Sequence, residues 1–136
     1  MRTPKNTANM YSNKPYLVKA FYQWIVDSDC TPYMMVDAKR TGVEVPTDYV
    51  QNGQIVLNVK PESVKHLVLG MRKVTFLATF GGVEYSIYLP MEAIQAVYAM
   101  ENGDGMMFET KETSEDYPPD PDDIKQNGKP DLRIVE

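Results

Sequence analysis

The sequence has very few of the residues that catalytic and metal sites usually require. Among its 136 residues there is one cysteine, Cys30, and one histidine, His66. A single cysteine cannot form an internal disulfide, which suits a reducing cytoplasm. Without Cys-x-x-Cys motifs or paired histidines, we expect no metal and no cofactor. A Cys–His nucleophile would need Cys30 and His66 in contact with each other and with a third orienting group. We prefer the interpretation that Cys30 simply follows a helix and His66 lies on a polar turn.

Long hydrophobic runs and phosphate-binding loops are also missing from the sequence. No apolar stretch approaches the ~20 residues that a transmembrane helix needs. The first residues contain no apolar segment typical of a secretory signal. Gly81-Gly82 and the glycines of Gly103-Asp104-Gly105 fit turns and a helix end, and not a nucleotide-binding motif. We therefore expect a cytoplasmic protein that is not an enzyme.

Charge is distributed unevenly along the chain, which has a net charge of −5. Residues 1–108 contain ten acidic and ten basic side chains, whereas residues 109–123 contain seven acidic side chains and one lysine. Residues 124–136 contain three basic and two acidic side chains. Since Lys and Arg are nowhere clustered, the sequence disfavours nucleic acid as the main partner. The acidity belongs to one segment and not to the whole chain.

The first regular element is predicted to be a helix that begins near Pro15. Proline suits the first turn of a helix because its missing N–H would be unsatisfied there in any case. Leu17, Phe21, Trp24 and Ile25 follow at helical spacing and form one apolar stripe. Further aromatic residues widen the stripe to a second face, and only one face can cover the sheet of its own chain. The helix is therefore a candidate dimer interface.

Most of the remaining domain is predicted to be β-structure. Two β-rich runs, 74–80 and 83–89, flank two glycines and predict a hairpin. Asn52-Gly53 predicts another tight turn. Shorter strands are predicted at 33–37, 43–45, 55–59 and 67–69. Pro90 is expected to open a second helix that runs from Met91 to about Glu101.

The C-terminal part of the sequence predicts a tail. Residues 109–128 combine three prolines with seven acids, and such a segment buries too little surface to offset its ordering entropy. Residues 129–136 then alternate apolar and polar side chains, which suits an added strand on a partner's sheet, although they could also fold back or have no role. The predicted organisation is a loose N-terminus at 1–13, a domain at 14–108, a disordered acidic linker at 109–128 and a terminal peptide at 129–136.

Several blocks of residues occur in the order and at the spacing of a known family. They are 14–24 (KPYLVKAFYQW), 31–33 (TPY), 42–46 (GVEVP), 52–58 (NGQIVLN), 76–81 (FLATFG), 99–105 (AMENGDG) and 107–109 (MFE), followed at the C-terminus by 129–135 (KPDLRIV). In these blocks the chain resembles the stringent starvation protein B (SspB) family. Members of that family are bacterial adaptors that deliver ssrA-tagged proteins to the ClpXP protease.

The resemblance implies an α+β, mainly β fold. It consists of a bent antiparallel Sm/SH3-like sheet, an N-terminal dimerisation helix and a disordered C-terminal tail. The implied dimer contacts are Leu17, Ala20, Phe21 and Trp24. Alternatively, this face of the helix covers the core of its own domain. The implied contacts with the N-terminal domain of ClpX are Leu132, Arg133, Ile134 and Val135.

A groove for the polar, upstream part of the ssrA tag is also implied by the resemblance. Its residues would be Asn58, Phe76, Ala78, Thr79, Phe80, Met106 and Met107. Ala78 suits this role because a small side chain lets a peptide backbone approach. Alternatively, Phe76, Ala78 and Phe80 form the core-facing side of one strand. Leu77 and Thr79 stand where the family pattern favours more polar or basic residues.

The implied function is that of an adaptor. It would bind ssrA-tagged polypeptides, tether them to ClpXP and enhance their degradation as a cytoplasmic homodimer. One alternative is a binding module for another peptide class. The other is a small Sm-like RNA-binding domain, which the fold would permit but the neutral domain and acidic tail disfavour.

Overall fold

The computed structural model describes residues 10–109 and 112–122. Within these residues the helix at Lys14–Asp27 precedes seven strands, and this arrangement confirms the predicted α+β, mainly β class. The elements are α1 (Lys14–Asp27), β1 (Pro32–Asp37), β2 (Gln54–Asn58), β3 (Val64–Leu69), β4 (Lys73–Phe80), β5 (Val83–Pro90), β6 (Ile94–Ala99) and β7 (Gly105–Met107). The predicted strand at 43–45 is reduced to a single bridge between Glu44 and Tyr88.

The strands form two antiparallel sheets. The first sheet has the order β2-β1-β6-β7, and the second has the order β3-β4-β5. The predicted hairpin is confirmed, since β4 and β5 pair without interruption from Lys73↔Pro90 to Phe80↔Val83. Its turn needs two glycines because Gly81 and Gly82 have φ values of 57° and 82°.

Helix α1 packs on the sheets through one of its apolar faces. Its buried apolar residues include Val18, Tyr22 and Ile25, at spacings of four and three. Of the predicted stripe only Ile25 belongs to this face, and Trp24 is 50% exposed. The sequence predicted two apolar faces, but helical spacing alone does not reveal which of them meets the sheet.

The predicted second helix is wrong. Residues Met91–Ala93 form one turn of 3-10 helix, and the chain continues as β6. β6 lies between β1 and β7 in its sheet, and four of its six residues are buried. A central strand that is covered on both faces carries a nearly continuous apolar sequence, which resembles that of a helix. The pairing of β6 with two neighbours outweighs its helical propensity.

The prediction of disorder is also wrong for residues 112–122, which we call the strap. Tyr117 is fully buried and belongs to the same apolar cluster as residues of α1 and both sheets. Before it, Ser114–Asp116 form a 3-10 turn in which Thr113 and Asp116 cap each other's backbone N–H groups. One buried aromatic side chain and specific polar contacts order a segment whose average composition predicts disorder.

Polar contacts at the end of the strap hold it on the turn between β3 and β4. The Asp120 carboxylate accepts hydrogen bonds from the backbone N–H groups of Met71, at 2.6 Å, and Arg72, at 2.9 Å. The Arg72 guanidinium donates to the carbonyl oxygen of Tyr117 at 3.1 Å. Residues 1–9 and 123–136, which include most of the predicted loose N-terminus and the terminal peptide, lie outside the described residues.

We predict that the strap contributes to the stability of the domain. A chain that ends at residue 109 lacks Tyr117, and its free energy of unfolding should fall by about 3 kcal/mol or more, as for other buried aromatic side chains. A chain that ends at residue 122 keeps the contacts of Tyr117 and Asp120 described above and is the matched control. Urea unfolding of both chains and of the full chain measures the difference. Equal stability of the two shortened chains would contradict the packing of the strap.

Candidate peptide-binding site

Ala78 lies on the buried face of β4. Burial alternates along this strand, and Phe76 and Ala78 are 3% and 9% exposed. Ala78 pairs with Val64 on β3 and with Tyr85 on β5. The interpretation that Phe76 and Ala78 face the core is thus correct for their side chains. Any ligand at Ala78 would meet a small residue at the margin of the core.

A cavity of about 240 Å³ opens beside this point, and we call it the Ala78 cavity. Ala78, Leu77 and Thr79 line it from β4, and Val64 and Lys65 line it from the start of β3. Lys65 and Glu84, whose charged atoms are 3.7 Å apart across the sheet, form its rim together with Glu62. The cavity therefore combines a small apolar floor with charged groups of both signs.

Phe80 ends β4 in a group of aromatic rings. Its ring centroid lies 5.1 Å from that of Tyr49 and 5.7 Å from that of Tyr85. Tyr49 also packs closely on the hairpin turn, since a Cβ at Gly81 would stand 2.8 Å from its hydroxyl oxygen. Sequence reasoning missed Tyr49 because it lies in a short 3-10 turn between strands, where no periodic pattern identifies it.

The remaining predicted groove residues lie elsewhere. Met106 and Met107 belong to β7 in the first sheet and line a different cavity of about 310 Å³ with Leu17 and Phe108. Asn58 is exposed at the end of β2, and its side chain accepts a hydrogen bond from the N–H of Lys60 at 2.9 Å. Of the predicted groove residues, Ala78 and Thr79 line the same cavity, and Phe80 follows them on β4. A peptide would have to cross from one sheet to the other to contact the methionines as well.

Cys30 lies just after the end of α1, and His66 lies on β3. Cys30 is half-buried beside Trp24 in a small cavity at the end of α1. His66 is exposed on β3, where its φ of 57° accompanies an irregular pairing between Lys65 and Val68. Histidine is one of the residue types that tolerate this left-handed conformation. Among the residues that the structure describes, no helix is long and apolar enough to span a membrane.

A charged group lies buried where the strap meets α1. The Nζ atom of Lys14 is buried without a hydrogen-bond partner and lies 5.6 Å from the centroid of the Phe108 ring. Burial lowers the pKa of Lys14 to about 8, although the nearby carboxylates of Glu112 and Glu92 partly oppose this effect. The hydroxyl group of Tyr117 donates to Glu112 at 3.1 Å, and burial raises the pKa of this tyrosine.

Comparison with known proteins identifies the family. Residues 12–133 match the sequence profile of stringent starvation protein B. The chain belongs to the stringent starvation protein B family. It is similar to the stringent starvation protein B homolog of Haemophilus influenzae, with 45% identity over 115 residues, which cover 85% of this chain and 77% of the relative.

Membership of the SspB family confirms the resemblance that the sequence blocks indicated. It supports a role as an adaptor, a protein that acts by binding other proteins. The matched region extends from the start of α1 beyond the strap. The strap is therefore part of the region by which the family is recognised.

The lowered pKa of Lys14 predicts a pH dependence of stability. Between about pH 8 and pH 10.5 the unfolded chain holds a proton that the folded chain has released, so stability should rise with pH in this range. We expect a gain on the order of 1 kcal/mol between about pH 7 and pH 9.5. In a Lys14→Met variant this gain should disappear, whereas Lys19→Met, at an exposed lysine of the same helix, should retain it. Urea unfolding at several pH values measures this gain. An equal pH dependence of the free energy of unfolding in both variants would contradict its assignment to Lys14.

Proposed function

We propose that this SspB-family protein is an adaptor that binds ssrA-tagged polypeptides and tethers them to the ClpXP protease. The Ala78 cavity is the observation that supports tag binding most directly. It places a small residue at the end of a strand, beside an opening that a peptide backbone can enter. Family membership supports the adaptor role.

The rim of the Ala78 cavity suits a polar peptide. β3 is an edge strand of its sheet, so an extended peptide can approach its unpaired side. Lys65, Glu62 and Glu84 offer donors and acceptors of both charges around the small apolar floor. Polar peptide segments would pair with these groups, and the peptide backbone would pass the small apolar floor of the cavity.

We also propose that two copies pair through the outer face of α1. Leu17, Ala20, Phe21 and Trp24 lie at helical spacing on this face, and Phe21 and Trp24 form an edge-to-face pair with centroids 5.7 Å apart. Trp24 is 50% exposed, which is unusual for the largest apolar side chain. Since Val18, Tyr22 and Ile25 already cover the core, the outer face is available for a second copy.

The proposed tether is the terminal part of the chain. Leu132, Arg133, Ile134 and Val135 would bind the N-terminal domain of ClpX, and the residues between the strap and this peptide would serve as the spacer. A short spacer makes the second binding event effectively intramolecular, at concentrations on the order of millimolar. Two weak contacts then act as one stronger contact. The adaptor itself needs no ATP site because unfolding is carried out by ClpX.

We predict that Ala78→Gln blocks binding of the tag. The longer polar side chain would fill the floor of the cavity, and affinity for a synthetic ssrA-tag peptide should fall at least tenfold. Thr75→Gln, at a half-buried position of the same strand outside the cavity, is the matched control and should bind normally. Isothermal titration calorimetry measures both affinities.

Because Ala78 lies at the margin of the core, each variant must first be shown to unfold at about the same urea concentration as the unsubstituted protein. If Ala78→Gln does not fold, Thr79→Arg provides a second test, because Thr79 is exposed and lines the same cavity. Normal tag affinity in a folded Ala78→Gln protein would exclude this cavity as the tag site.

A second prediction separates tag binding from delivery. Deletion of residues 132–136 should abolish the stimulation of ClpXP degradation, because the proposed docking contacts are lost. Affinity for the tag peptide should stay unchanged, since the domain and its cavity are intact. Degradation rates of a tagged fluorescent protein, together with calorimetry, test both statements. A deletion that also weakened tag binding would contradict the division of roles between domain and tail.

A further inference from the structure

The strap carries the chain from one sheet to the other before the proposed tether begins. The last backbone contact of the first sheet is the hydrogen bond from the N–H of Phe108 to Gln95, at 2.9 Å. The strap ends beside the β3–β4 turn, which belongs to the second sheet. The Ala78 cavity lies on this same second sheet. The strap thus moves the starting point of the tail to the sheet that carries the proposed tag site.

We propose that Tyr117 and Asp120 are positioning residues that fix the root of the tether on the β3–β4 turn. This inference rests on the proposed function. Tyr117 is fully buried, and Asp120 is only 5% exposed. Both carboxylate oxygens of Asp120 accept backbone N–H groups of the turn, and the ammonium group of Lys73 lies 3.8 Å away. Lys73 also pairs with Asp122 at 2.7 Å.

The contacts of Asp120 are specific, unlike those of a solvating acidic spacer. Burying a carboxylate is costly unless hydrogen bonds and opposite charge compensate it, and here both are present. The turn also fits closely around the carboxylate, since a Cβ at Gly70 would stand 3.0 Å from each of its oxygens. Arg72 adds a hydrogen bond from its side chain to the carbonyl of Tyr117. The strap is therefore held at its middle and at its end.

Anchoring changes the length of the proposed tether. A spacer of about 20 residues that began after residue 108 would have an r.m.s. span of about 25 Å, whereas the six residues 123–128 would have about 13 Å. If both spacers can reach the partner, the shorter one raises the effective concentration about sixfold. The root and the tag site lie on the same sheet, about 17 Å apart along β4, because Ala78 follows Lys73 by five positions of this strand.

The position of the root can be measured without any partner. In a Cys30→Ser background, spin labels at Pro121→Cys and Val83→Cys report the distance between the end of the strap and the far end of the β4–β5 hairpin. We expect a narrow distance distribution in this protein and a broad one after Tyr117→Ala and Asp120→Ala are combined. Glu115→Ala, an exposed strap residue with the same change of charge, is the control and should keep the narrow distribution. A broad distribution without the anchor substitutions would overturn the proposal.

The effect on tethering is measured with ClpXP and a tagged substrate. In the Tyr117→Ala/Asp120→Ala variant, the adaptor concentration for half-maximal stimulation should rise two- to sixfold, while affinity for the tag peptide stays unchanged. A fourteen-residue Gly/Ser insertion after Asp122, which lengthens the spacer but keeps the anchors, should raise it to a similar degree. An unchanged half-maximal concentration in both proteins would overturn the positioning role. If the protein with intact anchors neither bound the tag nor stimulated degradation, the proposed function would fail, and the distance measurement would still decide whether the strap is anchored.

Discussion

The burial of Tyr117 holds the strap against the rest of the domain. This side chain completes an apolar cluster to which α1 and both sheets contribute, and the Asp120 carboxylate fastens the following residues to the β3–β4 turn. Without these two contacts the acidic segment would leave the domain at the edge of the first sheet. With them, the end of the strap lies on the second sheet, which also carries the Ala78 cavity. The domain and the proposed tether are therefore coupled through a few contacts.

Local signals in the sequence predicted the elements that local chemistry determines. Gly81 and Gly82 specify the hairpin because both need positive φ, and Pro15 lies in the first turn of α1 as expected. Elements that depend on distant partners were predicted less well. β6 has an apolar run that suits either a helix or a buried strand, and only its pairing with β1 and β7 selects the strand. Tyr117 is an isolated aromatic in an acidic segment, and average composition conceals such a contact.

In the candidate site, too, features that depend on distant parts of the chain could not be predicted from local sequence. The family resemblance indicated Ala78, alternation along β4 could not decide between a groove and the core, and the structure places this residue on the buried face beside a cavity. The spacing of residues does not reveal how two sheets face each other, so the assignment of Met106 and Met107 to the same groove could not be derived from it. Both methionines line another cavity next to α1. For the same reason the sequence identified two apolar faces on α1 without showing that Val18 and Tyr22 take the core side.

Calorimetric titration with a synthetic ssrA-tag peptide tests most directly whether the Ala78 cavity binds the tag, as proposed. We expect saturable binding of one peptide per chain, with no binding of a scrambled peptide. Affinity should change little as salt concentration rises, because a short peptide at a cavity with an apolar floor displaces few counterions. Absence of binding, or a preference for RNA whose affinity falls steeply with salt, would contradict the account.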